Sequence, residues 1–536
     1  MVDVLVINGL IVDGTGKEAY HGNIAIKDNK IVKIGKDVYS EANKVIDASG
    51  LVVCPGFIDV HSHNDLVPFM SDKIQNLKLM QGVTTELVGQ CGLGVIPCVE
   101  SKDKVWKNYI KGVVGDPGIQ FDFHDFDEYV TKISERGLKN NYAALISHGA
   151  VRANVLGLNS RVPTKSELEN MCELVEDAMK KGAFGMSLGL QYMPGIFSDK
   201  KELIAMCKVV KKYEGIIMVH VKNHDVSIRD ALEEIISIAE ASGVKLHISH
   251  LRSYDSIDFG CSAELLIETI EKAVDRGVDI TFDEHLYLSG STLMTQLLPP
   301  WLTDKGTDVL LEKLRDTQVL RRLKEELVNK EIHYRGWDNY SGIAGWDGIL
   351  ITSLGKTENL KYIGKTVGEI ARDLKVHPVD FMANLIVKEQ TGVGIVTLDI
   401  FSEEDTIKLI RHPLQMVGSD SIPAGVPHPR LYGNFPLFIG KYVRERKALT
   451  LEEAVYKATL FPAKRLGMKN VGELSVNKIA NITMFSFDEI TGYEDYRNST
   501  KNPVGIKHVV LNGKIAVENG IVSKEANGSF LKYGFN

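Results

Sequence analysis

C-P-G-F-I-D-V-H-S-H, residues 54–63, begins at a proline–glycine break, continues through Phe57, Ile58, Asp59 and Val60, apolar but for the aspartate, and ends on two histidines, His61 and His63. Side chains two apart on a strand point to the same side, so both imidazoles can reach one ion. Ligand-type residues at the end of a short apolar strand are what a (β/α)8 barrel needs, since such barrels build their sites at the C-terminal ends of their strands. Seven more short apolar runs follow. They are T-T-E-L-V-G (84–89), Y-A-A-L-I-S-H (142–148), G-M-S-L-G-L (185–190), I-I-M-V-H (216–220), K-L-H-I-S-H (245–250), D-I-T-F-D (279–283) and L-Q-M-V-G-S-D (414–420). Helical stretches such as 166–182 and 228–243 lie between them. This alternation predicts parallel strands joined by crossover helices, and eight of them favour closure into a barrel.

The ends of these runs carry the chemistry. The first ends in His61 and His63, the second leads into Cys91, the fifth ends in His220, the sixth in His250 and the eighth in Asp420. One histidine in an apolar strand is ordinarily a hydrogen-bonded core residue. Six ligand-type residues at the same end of five strands form a pattern that packing does not require. Imidazole, thiolate and carboxylate together suit Zn2+ better than Mg2+ or Ca2+, which prefer oxygen shells. One or two ions are both compatible with the donor count. A hydrolytic site then needs an acid/base, and Asp420 is placed to take a proton from water and pass it to a leaving amine. Its alternative role is a helix cap. For Cys91, a nucleophilic thiol is the competing reading, but four histidines at hand fit ligation better.

Around this core, residues 1–53 carry strand-like runs with Asn-Gly and Asp-Gly turns, and similar runs return near the C-terminus. The expected organisation is a small β-sandwich from both ends (1–54 and 469–536) around a barrel at 55–468. The gap of about 130 residues between the seventh and eighth runs is too long for a loop, so a lid is expected within about 288–405. The 536 residues are 44% apolar and 25% charged with net charge −7, which disfavours a nucleic-acid partner. No apolar run nears the roughly 20 residues of a membrane span. The N-terminal segment lacks a secretory pattern. Cys54, Cys91, Cys98, Cys172, Cys207 and Cys261 show no disulfide framework, so a cytoplasmic location is expected. No feature fixes an assembly state.

The motif P-G-F-I-D-V-H-S-H-N-D (55–65) with G-S-D-S (418–421) resembles the amidohydrolase superfamily. G-V-T-T-E-L-V-G-Q-C-G (82–92), S-H-G-A-V-R (147–152), G-M-S-L-G-L-Q-Y-M-P-G (185–195), I-S-H-L-R (248–252) and H-P-R-L-Y-G-N-F (428–435) resemble its N-acyl-D-amino-acid deacylase (D-aminoacylase) branch over nearly the whole chain. The resemblance implies zinc-dependent hydrolysis of the amide of a small anionic N-acyl-D-amino acid. It implies that His61 and His63 match one metal site. Cys91, His220 and His250 match the tightly held one, Cys91 replacing a carboxylated lysine common elsewhere in the superfamily. Asp420 matches the acid/base and Tyr192 a residue polarising the scissile carbonyl. Arg430, Arg252, His285 and Tyr287 match substrate-binding positions, and His148 and Asp283 lie behind the ligands.

Departures from the branch fall at 220–224 (H-V-K-N-H), 283–287 (D-E-H-L-Y), 187–190 and 480–484. The ligand residues are intact, so hydrolysis is expected and the substrate is the open variable. The alternative is another linear or cyclic amide, dipeptide-like or hydantoin- or dihydroorotate-like. A non-catalytic scaffold is disfavoured by the complete ligand set.

Overall fold

The computed structural model describes residues 1–98, 103–118, 123–225, 227–254, 262–303, 305–329 and 331–534. Cys261 lies outside them. All eight expected parallel runs form strands: Phe57–Asp59, Val83–Val88, Asn141–Ala144 continued by Ile146–Ser147, Gly185–Gly189, Ile216–His220, Lys245–Ile248, Ile280–Glu284 and Gln415–Val417. They pair in sequence order, all parallel, within a three-stranded and a six-stranded sheet. The two sheets meet where Leu145 N donates to Val88 O at 3.0 Å, and at a parallel bridge between Ser62 and Ser421.

The opening motif divides where its glycine stands. Val52–Pro55 pairs with strands of the terminal domain, and Phe57–Asp59 turns into the parallel set. Gly56 sits between them because an added Cβ would lie 2.2 Å from the Thr84 side chain. The crossover helices carry the expected apolar stripe. In Lys165–Lys180 the buried residues are Met171, Val175, Ala178 and Met179, one face of a 3.6-residue period, and a Thr164–Glu167 capping box starts the helix.

Both chain ends join in one continuous nine-stranded sheet, ordered 521–522, 514–518, 506–511, 482–485, 52–55, 2–11, 20–27 and 30–35, with 42–47 beside 2–11. The ten-residue strand Val2–Ile11 makes this continuity, since residues 2–7 pair with 42–47 and residues 10–11 with 52–53 along one side. Beyond it, Ser529 and Leu531 hydrogen-bond the backbone of Tyr142, so the tail lies on the third parallel strand. Residues 288–405 contain an antiparallel sheet of Gly290–Leu293, Gly394–Thr397 and Ile349–Ser353. Several helices join it around a separate apolar cluster that includes Leu297, Leu323, Ile351 and Phe381. Among the described residues no helix is long and apolar enough to cross a membrane. No disulfide joins Cys54, Cys91, Cys98, Cys172 or Cys207.

Candidate metal centre and active site

The parallel strands deliver their terminal residues to one small volume. Three of these, Cys91 (φ 52°), His250 (φ 35°) and Asp420 (φ 48°), adopt the left-handed backbone region. That region costs a side-chain-bearing residue ~1–3 kcal/mol and is retained where the surroundings over-determine it. Around Cys91 the surroundings are glycine. A Cβ on Gly189 would lie 1.8 Å from the Cys91 carbonyl oxygen, and one on Gly92 would lie 2.7 Å from Gly189 N. The Q-C-G turn therefore rests directly on the end of the fourth parallel strand, with its thiol aimed inward.

Three groupings each hold their donor atoms within 4.8 Å of one another: His61–His63–Cys91, Cys91–His220–His250 and His61–His250–Asp420. Cys91 Sγ lies 3.3 Å from His61 Nε2 and 3.6 Å from His250 Nε2. His220 Nδ1 lies 2.9 Å from His250 Nε2. Asp420 Oδ1 is 3.5 Å from His61 Nε2 and 3.2 Å from His63 Nε2. All six residues are buried.

Hydrogen bonds behind the cluster set which nitrogens face it. Asp283 Oδ2 takes His61 Nδ1 at 3.1 Å and His247 Nε2 at 2.8 Å, and Asp283 Oδ1 accepts from the His250 backbone N–H at 2.9 Å. Thr281 Oγ1 bonds His247 Nδ1 at 2.8 Å. On the other side, Gln191 Oε1 lies 2.8 Å from His220 Nε2. Each imidazole bonded from behind turns its other nitrogen toward the cluster, the usual support of a metal-binding histidine.

Charge follows the same geometry. Burial holds His220 well below the ordinary imidazole range and His250 down to about 3, so both are neutral donors of a lone pair. Burial opposes charging His61, yet the charges of Asp283, Cys91 and Asp420 lift it well above its ordinary value. Positive charge is thus demanded where His61, Cys91 and Asp420 meet. Burial also pushes the Cys91 thiol up, with His61 working against it. Burial raises Asp420, but Arg430, His61 and His63 outweigh it and hold the carboxyl well below its usual range. Arg430 Nη2 lies 2.8 Å from Asp420 Oδ2.

A cavity opens over these donors, lined further by Tyr192, His224, Tyr254, His285, Tyr340 and Phe401. Tyr192 reaches it with its hydroxyl 3.0 Å from Thr292 Oγ1 and its ring 4.7 Å from that of His220. His285 presents an imidazole held neutral by burial and by the nearby Arg252 and Arg430 guanidiniums. Arg252 borders the cavity, but its guanidinium donates to the Tyr287 carbonyl at 2.6 Å and to the His285 carbonyl, with Glu284 Oε1 at 3.5 Å from Nε. Burial pushes Glu284 up to about 8 against the pull of Arg252.

Two expected site residues are placed elsewhere. Tyr287 does not line this cavity; it is fully buried, and its hydroxyl donates to the Pro429 carbonyl at 3.3 Å. The resemblance placed it among the substrate-binding residues, but the turn after Glu284 sends its side chain into the core beside the H-P-R segment. His148 opens the helix His148–Leu156 and pairs with Glu202 at 2.9 Å, beside Arg152, instead of backing a ligand. Asp283 sits behind His61 as expected. Sequence reasoning passed over His247, Gln191 and Asp338. His247 was visible as an extra histidine in the sixth strand and Gln191 as the neighbour of Tyr192, whereas nothing in the sequence marks Asp338.

The amidohydrolase family pattern matches residues 44–323 and 375–517, and the chain belongs to that family. An N-acyl-D-glutamate deacylase of Alcaligenes xylosoxydans xylosoxydans is 28% identical over 513 residues, 96% of this chain and 93% of that protein. A D-aminoacylase of the same organism is 28% identical over 512 residues, covering 95% and 93%. Among solved structures, N-acyl-D-glutamate deacylase from Bordetella bronchiseptica superposes with a TM-score of 0.81 at 26% identity over 99% of both chains. It was crystallised with zinc and a phosphonate mimic of the tetrahedral intermediate.

Proposed function

We propose that this chain is a zinc-dependent hydrolase of N-acyl-D-amino acids, releasing a carboxylate and a free D-amino acid. The observation that carries the reading is the convergence of His61, His63, Cys91, His220, His250 and Asp420, from five strand ends, with donor atoms in overlapping groups 4.8 Å across or less. The names of the relatives and the zinc and phosphonate of the Bordetella structure support it. In this reading the two parallel sheets close as one (β/α)8 barrel over 55–468, the terminal segments 1–54 and 469–536 form the β domain, and the unit within about 288–405 is a lid. The Ser62–Ser421 bridge supports the closure. The absence of disulfides among the described cysteines suits a cytoplasmic setting.

The residues fit zinc. Two neutral imidazoles and a thiol make up the group Cys91–His220–His250, and the demand for positive charge at His61 is met by a cation. When bound, zinc supplies Lewis acidity and brings the pKa of water near ~7. This chain's own residues do the rest. Asp420, ionised and fixed by Arg430, takes the proton of the attacking water and returns it to the amide nitrogen. The Tyr192 hydroxyl, held by Thr292, donates toward the oxygen that becomes negative. Arg430, which lines the cavity beside Asp420, is the cation proposed to meet the α-carboxylate, while Arg252 bonds the Tyr287 and His285 carbonyls at the cavity's border. The amino-acid side chain then lies among Tyr254, Tyr340 and Phe401, which favours a neutral side chain.

The test is hydrolysis by zinc-loaded protein of matched N-acetyl-D- and N-acetyl-L-leucine, N-acetyl-D-glutamate and a hydantoin. Turnover of the D-leucine derivative above the others is expected. Preference for the L form or the cyclic amide overturns the reading.

A further inference from the structure

The ends of the fourth and fifth parallel strands and the inserted unit meet at one buried carboxylate. Asp338, fully buried, belongs to the insertion, 147 residues beyond Gln191. Gln191 Nε2 donates to Asp338 Oδ2 at 2.6 Å, while Gln191 Oε1 lies 2.8 Å from His220 Nε2. The His224 backbone N–H and the Asn223 side chain donate to Asp338 Oδ1 at 3.1 and 3.2 Å. Asn223 also donates to the Trp337 carbonyl at 3.0 Å and accepts from Gly336 N at 2.8 Å, pinning the same turn of the insertion to the end of the fifth strand.

A carboxylate can only accept. Asp338 therefore fixes the Gln191 amide with its NH2 outward and its carbonyl toward His220. That carbonyl can only accept, so His220 carries its proton on Nε2 and turns the lone pair of Nδ1 to the cluster. From this chain of enforced polarities we infer that Asp338 is a positioning residue: through Gln191 it sets the tautomer of His220, so the metal site is competent only with the inserted unit seated. The inference rests on the zinc reading above. It makes the insertion part of the metal site's construction as well as a cover for the cavity.

The polarity of the relay can be reversed without changing its shape. In Asp338→Asn the new amide can offer Gln191 either a donor or an acceptor, and the tautomer of His220 is no longer imposed. In Gln191→Glu two carboxylates face each other. In the double variant Q191E/D338N the glutamate accepts from both His220 and the asparagine amide, and the original tautomer returns. The experiment is zinc affinity by competition with a chromophoric chelator, with circular dichroism of each protein as the check on folding. Loss of partners behind a ligand weakens metal binding ~10–100-fold, and that loss is expected for each single variant, with the double variant within about threefold of wild type. If D338N fails to fold, Q191E with and without D338N carries the same comparison. Unchanged zinc affinity in the folded single variants, or a double variant no better than Q191E, overturns the inference alone. A wild-type chain that binds no zinc overturns the zinc reading and this inference with it.

Discussion

The two halves of the donor cluster are supported in different ways. His61 is backed by Asp283, His247 and Thr281, which come from the sixth and seventh parallel strands. His220 is backed by a neutral amide, Gln191, and beyond it by Asp338 of the insertion. Every member of the first half comes from the parallel strands and their ends. The second is complete only when a separately cored unit docks on them. The parallel strands thus hold a charged half by themselves, and the insertion contributes Asp338 behind the other.

Variants that break this contrast should do so in graded steps. Asp420 borders the His61 half and is the proposed proton carrier, so Asp420→Asn should lower kcat ~10²–10⁴-fold with zinc content unchanged, measured by steady-state kinetics and metal analysis. Equal loss of metal would make Asp420 chiefly a ligand. Asp283→Asn removes charge from behind His61 and should weaken zinc binding ~10–100-fold in a chelator titration. It acts within the parallel strands, so its effect should be independent of the state of Gln191. Were it relieved by Q191E/D338N, the two halves would be one network. The smallest effect is expected at Tyr287, placed outside the cavity. Tyr287→Phe loses one buried hydrogen bond, about 0.5–1.5 kcal/mol of stability in denaturant unfolding, with KM unchanged. A rise in KM would return Tyr287 to the substrate site.

Particular residues show why parts of this arrangement were legible in the sequence. Strand ends are marked by a change from apolar to polar, so His61, His63, Cys91, His220, His250 and Asp420 stood out at the ends of periodic runs. The glycines flanking Cys91 marked a turn whose close backbone contact with Gly189 is now visible. Tyr287 and His148 misled because their motifs place them next to site residues, whereas side-chain direction depends on the local turn. Arg252 was expected to meet substrate, and it does border the cavity, but its guanidinium bonds the His285 and Tyr287 carbonyls of the turn that follows the seventh strand. Asp338 was silent, because its partner is 147 residues away and a lone acidic residue in a helical insertion has no periodicity to distinguish it.

The central claim is that Cys91, a small buried residue on strained backbone, is a zinc ligand at the junction of both halves. It is tested most directly by zinc content, with activity, in purified wild-type protein and in Cys91→Ala. The account expects at least one zinc ion per wild-type chain, and loss of both metal and turnover in the variant. Retention of zinc and activity in Cys91→Ala would contradict it and make Cys91 a packing residue.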